Sequence, residues 1–367
     1  MANQQWKTSA IVVGPGIAPF NNQGETKHVT MSSDPKSGKV HAFGGDFPGE
    51  GQTGSAVSEL YEYNGATNAW VIKSGICHGP GNFSPANPND GQMQAVRPSD
   101  AKFWVVPGNW FPAPGGAGTP GGCSISSAHS IPGSTGYGGA MRHDFTTGLW
   151  EPMVPNPSGS EGITGALGGG GYDPSTDAFY TLNGPTVVIQ KIQLPACTKT
   201  TAEVPTVLQT IDGSGNGLTL EDIRQDHGCI DVIGRWVYWL AICKRWVSGL
   251  DQGHMLKFFR FNIDNIAVSE VLADPPYNYP TYTFGSLDNA FGYEGGLMNI
   301  AFDDRNRKVI WPFVHHYCGL VREMAAFNVK TLTWETLPLA GDVFPSPNAA
   351  RGNSITYDKK NNFVMVA

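Results

Sequence analysis

Residues 355–367 read ITYDKKNNFVMVA: a short run of strand-forming residues, a polar turn opened by aspartate, then an apolar run. An aspartate at the head of such a turn hydrogen-bonds backbone amides just beyond it, which is the local chemistry of a β-hairpin. The same phrase occurs five more times, as MSSDPKSGKVHAF (31–43), AVRPSDAKFWVV (95–106), GYDPSTDAFYTL (171–182), CIDVIGRWVYWL (229–240) and AFDDRNRKVIWPF (301–313). The turn anchors are Asp34, Arg97, Asp173, Asp231, Asp303 and Asp358, separated by 63, 76, 58, 72 and 55 residues. Six related hairpins constitute an internal repeat.

A second hairpin follows the first in several units: LYEYNGATNAW (60–70), MRHDFTTGLW (141–150), FFRFNIDNIAV (258–268) and AAFNVKTLTW (325–334), with Trp70, Trp150 and Trp334 closing three of them. Asn64-Gly65 is a strong hairpin signal. Each unit therefore reads hairpin, connection, hairpin, connection, which is a four-stranded antiparallel sheet. Such sheets repeated along a chain predict an all-β protein, a single β-propeller of six blades. The third unit has no closing tryptophan, and its TVVIQKIQLP (186–195) is the least patterned strand.

VHAFGGDF (40–47) followed by SELYEYNGATNAW (58–70) resembles the kelch-type β-propeller, with an apolar strand, a diglycine, a tyrosine-bearing strand and a spaced tryptophan. At hairpin level the resemblance spans nearly the whole chain and implies one domain over residues 1–367. The diglycine, Gly44-Gly45, stands in the first unit alone; the others carry VPGNW, LNGPT, AICKR and PFVHH at that point. From Asp358 through the two termini to Asp34 is 43 residues, the shortest interval of the ring. QQWKTSAIVV (4–13) aligns Trp6 with the closing tryptophans. The last blade is accordingly expected to be shared between about 1–20 and 350–367, with N- and C-terminal strands paired so that the ring closes without a loose edge.

Composition fits this reading and excludes others. Only 15% of residues are charged, while 47 glycines, 27 prolines and 11% aromatics point to many turns and large anchors. A net charge of −7 gives no basic footprint, so nucleic acid is not expected as a direct ligand. The opening MANQQWKTSAIVVGPG lacks the apolar core of an export signal, and no apolar run is long enough to cross a membrane. Cytoplasmic synthesis, with most or all of the six cysteines reduced, is the expectation.

Strand parity then sorts the connections. The turns joining strands 1–2 and 3–4 of each blade fall at one end of the ring and are short. The others fall at the opposite end and are long, as in 44–57, 74–92, 107–139, 152–165, 195–225, 244–254, 273–296 and 338–351. Loops of that length are uncommon without a function. They carry aromatic side chains, of which Trp110, Phe111, Tyr137, Tyr277, Tyr279, Tyr282 and Phe284 are the candidate partner-binding residues. Tyrosine and tryptophan give large contact area at low entropic cost.

Catalytic chemistry finds less support. Copper radical oxidases also use a kelch-type propeller, but VHHYCG (314–319) and QDHGC (225–229) do not match their tyrosine–cysteine and tyrosine–histidine pattern. Adjacent His315 and His316 on a strand would point to opposite faces. GALGGGGYDP (165–174) is followed by no lysine and no helix, so it is no phosphate loop; glycine there suits strands crowding the axis. Asp303-Asp304 and Glu221-Asp222 read as turn and strand-entry residues. No catalytic residue, metal ligand or cofactor is assigned. The sequence points to a non-catalytic protein-binding or structural assembly module that uses its long-loop end, as a component of a phage or virus particle such as a tail hub, nozzle or appendage. Two other readings stay open: a carbohydrate-active or glycan-binding propeller with its site at the axis, and a cytosolic kelch adaptor.

Overall fold

The computed structural model describes residues 5–6, 10–12, 30–34, 36–43, 60–64, 67, 69–74, 93–106, 141–151, 170–183, 187–220, 228–276, 300–311, 323–338, 340–341, 355–360 and 362–366. Two short strands, β1 (Gln5–Trp6) and β2 (Ala10–Val12), precede the repeats. The first blade is β3 (Thr30–Ser33), β4 (Val40–Phe43), β5 (Leu60–Asn64) and β6 (Ala69–Ser74). The second is β7 (Met93–Arg97), β8 (Lys102–Val106), β9 (Met141–Asp144) and β10 (Leu149–Glu151). The third is β11 (Gly171–Asp173), β12 (Ala178–Asn183), β13 (Val188–Gln193) and β14 (Thr198–Glu203). In the fourth, β15 (Gly217–Leu220) joins β16 (Gly228–Asp231), β17 (Trp236–Val247), β18 (Leu250–Asn262) and β19 (Ser269–Val271). The fifth is β20 (Ala301–Asp303), β21 (Lys308–Trp311), β22 (Glu323–Asn328) and β23 (Thr333–Pro338). After a short β24 (Ala340–Gly341), β25 (Ile355–Asp358) and β26 (Phe363–Val366) form a hairpin. Consecutive blade strands pair antiparallel, except that β15 and β16 both pair with β17.

This is an all-β protein and a single β-propeller. The innermost strands neighbour one another in the order β3, β7, β11, β16, β20, β25 and back to β3, so the ring has six positions. Five hold blades of four or more strands; the sixth holds the β25–β26 hairpin alone among the described residues. The expected count of six blades, the last shared between the termini, is thus corrected to five and a hairpin.

The expected closure is corrected as well. β2 runs parallel to the outer edge of the first blade, Ala10 opposite Ala69 and Val12 opposite Val71, and β1 runs parallel to β24. Among the described residues, neither pairs with β26. The short apolar Ala10–Val12 finds its backbone partners on the edge strand of the adjoining first blade, which it covers. Two stretches read as loops are also strands. Residues 195–225 contain β14, β15 and a 3-10 turn at Thr206–Leu208, and 244–254 is the far half of the β17–β18 hairpin, with Ser248 and Gly249 at its tip.

The core lies between blades, where the faces of neighbouring sheets meet. Tyr238, Phe258, Phe302, Phe327 and Trp311 fill the space between the fourth and fifth, with Trp334 packed against them. Between the third and fourth lie Tyr180, Leu182, Ile189, Trp239, Phe259 and Phe261. Trp70, Trp150 and Trp334 each take the second position of a fourth strand, the shared place their spacing implied. Close approach at the axis needs glycine: a Cβ on Gly228 would stand 2.4 Å from the Trp239 ring and 2.6 Å from the amide nitrogen of Gly170.

Candidate functional site

All six inner hairpins share one turn. Residue 5 of each turn adopts the left-handed conformation: Gly38 (φ 69°), Ala101 (56°), Asp177 (52°), Arg235 (63°), Arg307 (58°) and Asn362 (59°). Where resolved by hydrogen bonds, the amide of that residue donates to the carbonyl of the anchor, as Gly38 to Asp34, Ala101 to Arg97 and Asn362 to Asp358. The anchor carboxylate accepts amides inside the turn: Asp303 Oδ1 takes those of Arg305 (3.0 Å) and Asn306 (2.9 Å), and Asp358 Oδ1 that of Lys360 (2.9 Å). These aspartates are buried and fully engaged, so they are structural groups.

The turns also bind blade to blade. Arg307 grips Asp231 with both terminal nitrogens, although Asp231 is only 1% exposed. Arg235 reaches Asp173 (2.9 Å) on one side and Asp264 on the other. Arg97 holds Asp177 through Nε (2.8 Å) and Nη2 (2.6 Å) and Asp100 through Nη1 (3.0 Å). Lys359 pairs with Asp304, and the Gln94 amide donates to the His41 carbonyl (3.3 Å). Burial raises the Asp173 carboxyl, but hydrogen bonds from Thr176, Ser175 and Arg235 outweigh it and hold it below the usual range. The Arg97 hydrogen bond does the same for Asp177, whose burial acts the other way. Where tyrosine precedes the anchor aspartate, the side chain of the left-handed residue also accepts its hydroxyl: Tyr172 to Asp177 (2.8 Å) and Tyr357 to Asn362 (2.5 Å). Burial and the acids nearby push both phenols above their ordinary value.

The six inner strands enclose a cavity of about 150 Å³ on the axis. Its wall is more apolar than polar: Met31, Met93, Tyr172, Ile300, Phe302 and Tyr357 line it together with Ser32, Ser33, Gln94, Cys229 and Thr356. Asp304 and Lys359, the charged residues of this wall, neutralise each other at the turn end. Burial, with Asp231 and Asp304 adding to it, raises the Cys229 thiol well above its ordinary value, which disfavours the reactive thiolate. Among the described residues no cluster of three or more histidines, cysteines or acids is placed to hold a metal ion. Cys197, Cys229 and Cys243 are buried and in no disulfide; Cys77, Cys123 and Cys318 lie outside the described residues.

The strand ends confirm how connections are sorted. The turns at Asp34, Arg97, Asp173, Asp231, Asp303 and Asp358 lie at one end; Phe43, Val106, Val271 and Trp311 finish at the other, where the long connections depart. Trp110, Phe111, Tyr137, Tyr277, Tyr279, Tyr282 and Phe284 lie outside the described residues, as do His315 and His316. What the sequence reading missed at the described end is the set of arginine clamps. Its signal was present in Arg97, Arg235 and Arg307, each placed in or beside an inner turn.

No family model matches the chain, and no curated protein matches it. Among solved structures, it is similar to a chain of a nidogen/laminin complex at 12% identity, with 92% of this chain and 88% of that chain covered and a TM-score of 0.39. No helix among the described residues is long and apolar enough to cross a membrane.

Proposed function

We propose that this propeller is a protein-binding assembly module whose long-connection end receives other chains, and that it serves as a structural component of a phage or virus particle made in the cytoplasm. The observation that carries the reading is the division of labour between the two ends of the ring. At the turn end, short turns are fixed by buried aspartates and arginine clamps. Long connections rich in glycine, proline and aromatics are gathered at the other, the composition of a contact surface and not of a charged solvent face. The six-hairpin repeat with Gly44-Gly45 and Trp70 supports a degenerate kelch-like ancestry for the ring.

Truncating a buried aromatic anchor costs about 2 kcal/mol or more of binding. The Trp110→Ala, Tyr279→Ala double variant should therefore fold with an unchanged melting midpoint yet lose its place in complexes resolved by native mass spectrometry. Unchanged complexes, with an oligosaccharide bound at the axis instead, would overturn the reading in favour of a glycan-directed propeller.

A further inference from the structure

The six inner strands each turn one edge to the axis, and among the described residues no strand pairs with that edge. β3, β7, β11, β20 and β25 stand last in their sheets, and β16 pairs with β17 on its outer side. The cavity they enclose is walled by residues on or beside these strands, all of them described. Most polar groups of the wall are already engaged. The Tyr172 and Tyr357 hydroxyls donate to Asp177 and Asn362, and the Gln94 amide donates to the His41 carbonyl. Asp304 and Lys359 pair with each other.

Ser32 and Ser33 are different. Their hydroxyl oxygens are buried and have no hydrogen-bond partner among the described residues. A buried hydroxyl left without a partner is costly, and in native proteins nearly all such groups find one. Here two stand on adjacent residues of one strand, beside one cavity. Size narrows what can meet them. A purely apolar protein cavity of about 150 Å³ stays dry and admits benzene. The axial cavity has the same volume, about 150 Å³, and a wall that is mostly apolar, with the two hydroxyls added. That difference selects a molecule of benzene's bulk with one polar end. A net charge on it is disfavoured, because the charged residues of the wall already cancel and no other charge there would offset it.

We infer that the axial cavity is a binding site for a small uncharged molecule of the phenol class, with a compact apolar body and a hydroxyl that Ser32 and Ser33 hold by hydrogen bonds. The inference goes beyond the assembly role, which leaves the axis unused, and either can fail without the other. The probe is phenol, titrated into the full chain carrying methyl-labelled methionine. The Met31 and Met93 methyl resonances should shift saturably, because both side chains line the cavity. Benzene should bind there about fivefold more weakly, the scale of one net hydrogen bond. Benzoate, which is charged, and glucose, which lacks an apolar body, should leave both methyls unmoved. The variant Ser32→Ala, Ser33→Ala should keep the wild-type melting midpoint and benzene binding, and lose the preference for phenol. If that variant does not fold, the comparison of the four probes on the wild-type chain is decisive by itself. Met31 and Met93 methyls that stay in place with millimolar phenol overturn the inference, as does benzene binding as tightly as phenol. Benzoate or glucose binding at these methyls as tightly as phenol overturns it too. So does a preference for phenol that survives the loss of both hydroxyls.

Discussion

At the scale of single residues, the carboxyls held in ion pairs decide how this ring responds to pH. Glu62 on β5 sits at 17% side-chain exposure between His41, Lys39 and Lys73. Burial alone would raise its pKa; hydrogen bonds from His41 (3.3 Å) and Lys39 (3.1 Å) and the Lys73 charge reverse this and hold it at about 2. A carboxyl depressed in the folded state contributes stability in full above its unfolded value and loses it as pH falls through the folded value. The window therefore runs from about 4.5 down to about 2, and the contribution is at most about 3 kcal/mol. Urea unfolding of Glu62→Gln should be less stable than wild type at neutral pH, with the gap closing across that window. A gap that persists unchanged at pH 2 would show that Glu62 acts by shape and not by charge.

The hairpin is the element the sequence announces, and its turn shows where the announcement stops. Aspartate anchors and the tryptophans of the fourth strands were legible because cap chemistry and spacing repeat. The left-handed fifth residue was not, since glycine, the residue that marks it, holds that position in one of the six inner turns, at Gly38. β14 was read as loop because TKTTAE is polar but for Ala202 and mostly exposed, an outer strand held chiefly by its ladder to β13. The tip of β17–β18 was read as loop because charged Lys244 and Arg245 interrupt the apolar run just where the register shifts between Lys244 and Trp246. The aromatic candidates of the site lie in segments whose residue types say what they could contact but carry no period to say where they sit. The turn also yields a prediction. A left-handed conformation costs a non-glycine residue about 1–2 kcal/mol, against under about 1 kcal/mol of added unfolded-state entropy for glycine. Ala101 is exposed at φ 56° and makes no side-chain hydrogen bond, so Ala101→Gly should raise the unfolding free energy by about 0.5–1 kcal/mol. A lower denaturation midpoint would mean that the turn relaxes to another geometry in solution.

For the whole molecule, the decisive matter is whether the sixth position is part of the ring or an appendage to a five-bladed one. Inner-strand adjacency places β25 between β20 and β3, with Ile355 and Tyr357 buried there. Val364 of β26 packs against Ile310, Met324 and Ala326 on the fifth blade. Lys359 adds an ion pair to Asp304, and Lys360 lies against the Gly38 turn. If these contacts close the ring, a chain ending at residue 354 leaves β20 and β3 each without one inner neighbour and an apolar cluster uncovered. Exposed apolar surface of that kind recruits other chains. The truncated protein is expected to aggregate or to lose cooperative thermal unfolding, as read by size-exclusion chromatography and calorimetry. A soluble monomer with the wild-type midpoint would show instead that five blades meet each other directly and that the hairpin only decorates them. Adding the missing hairpin back as a peptide of residues 350–367 gives the complementary measurement. Recovery of a cooperative transition with the peptide, and none with an Ile355→Asp, Tyr357→Asp version, would place the stabilisation in the inner-strand contacts and not in the charges of the turn.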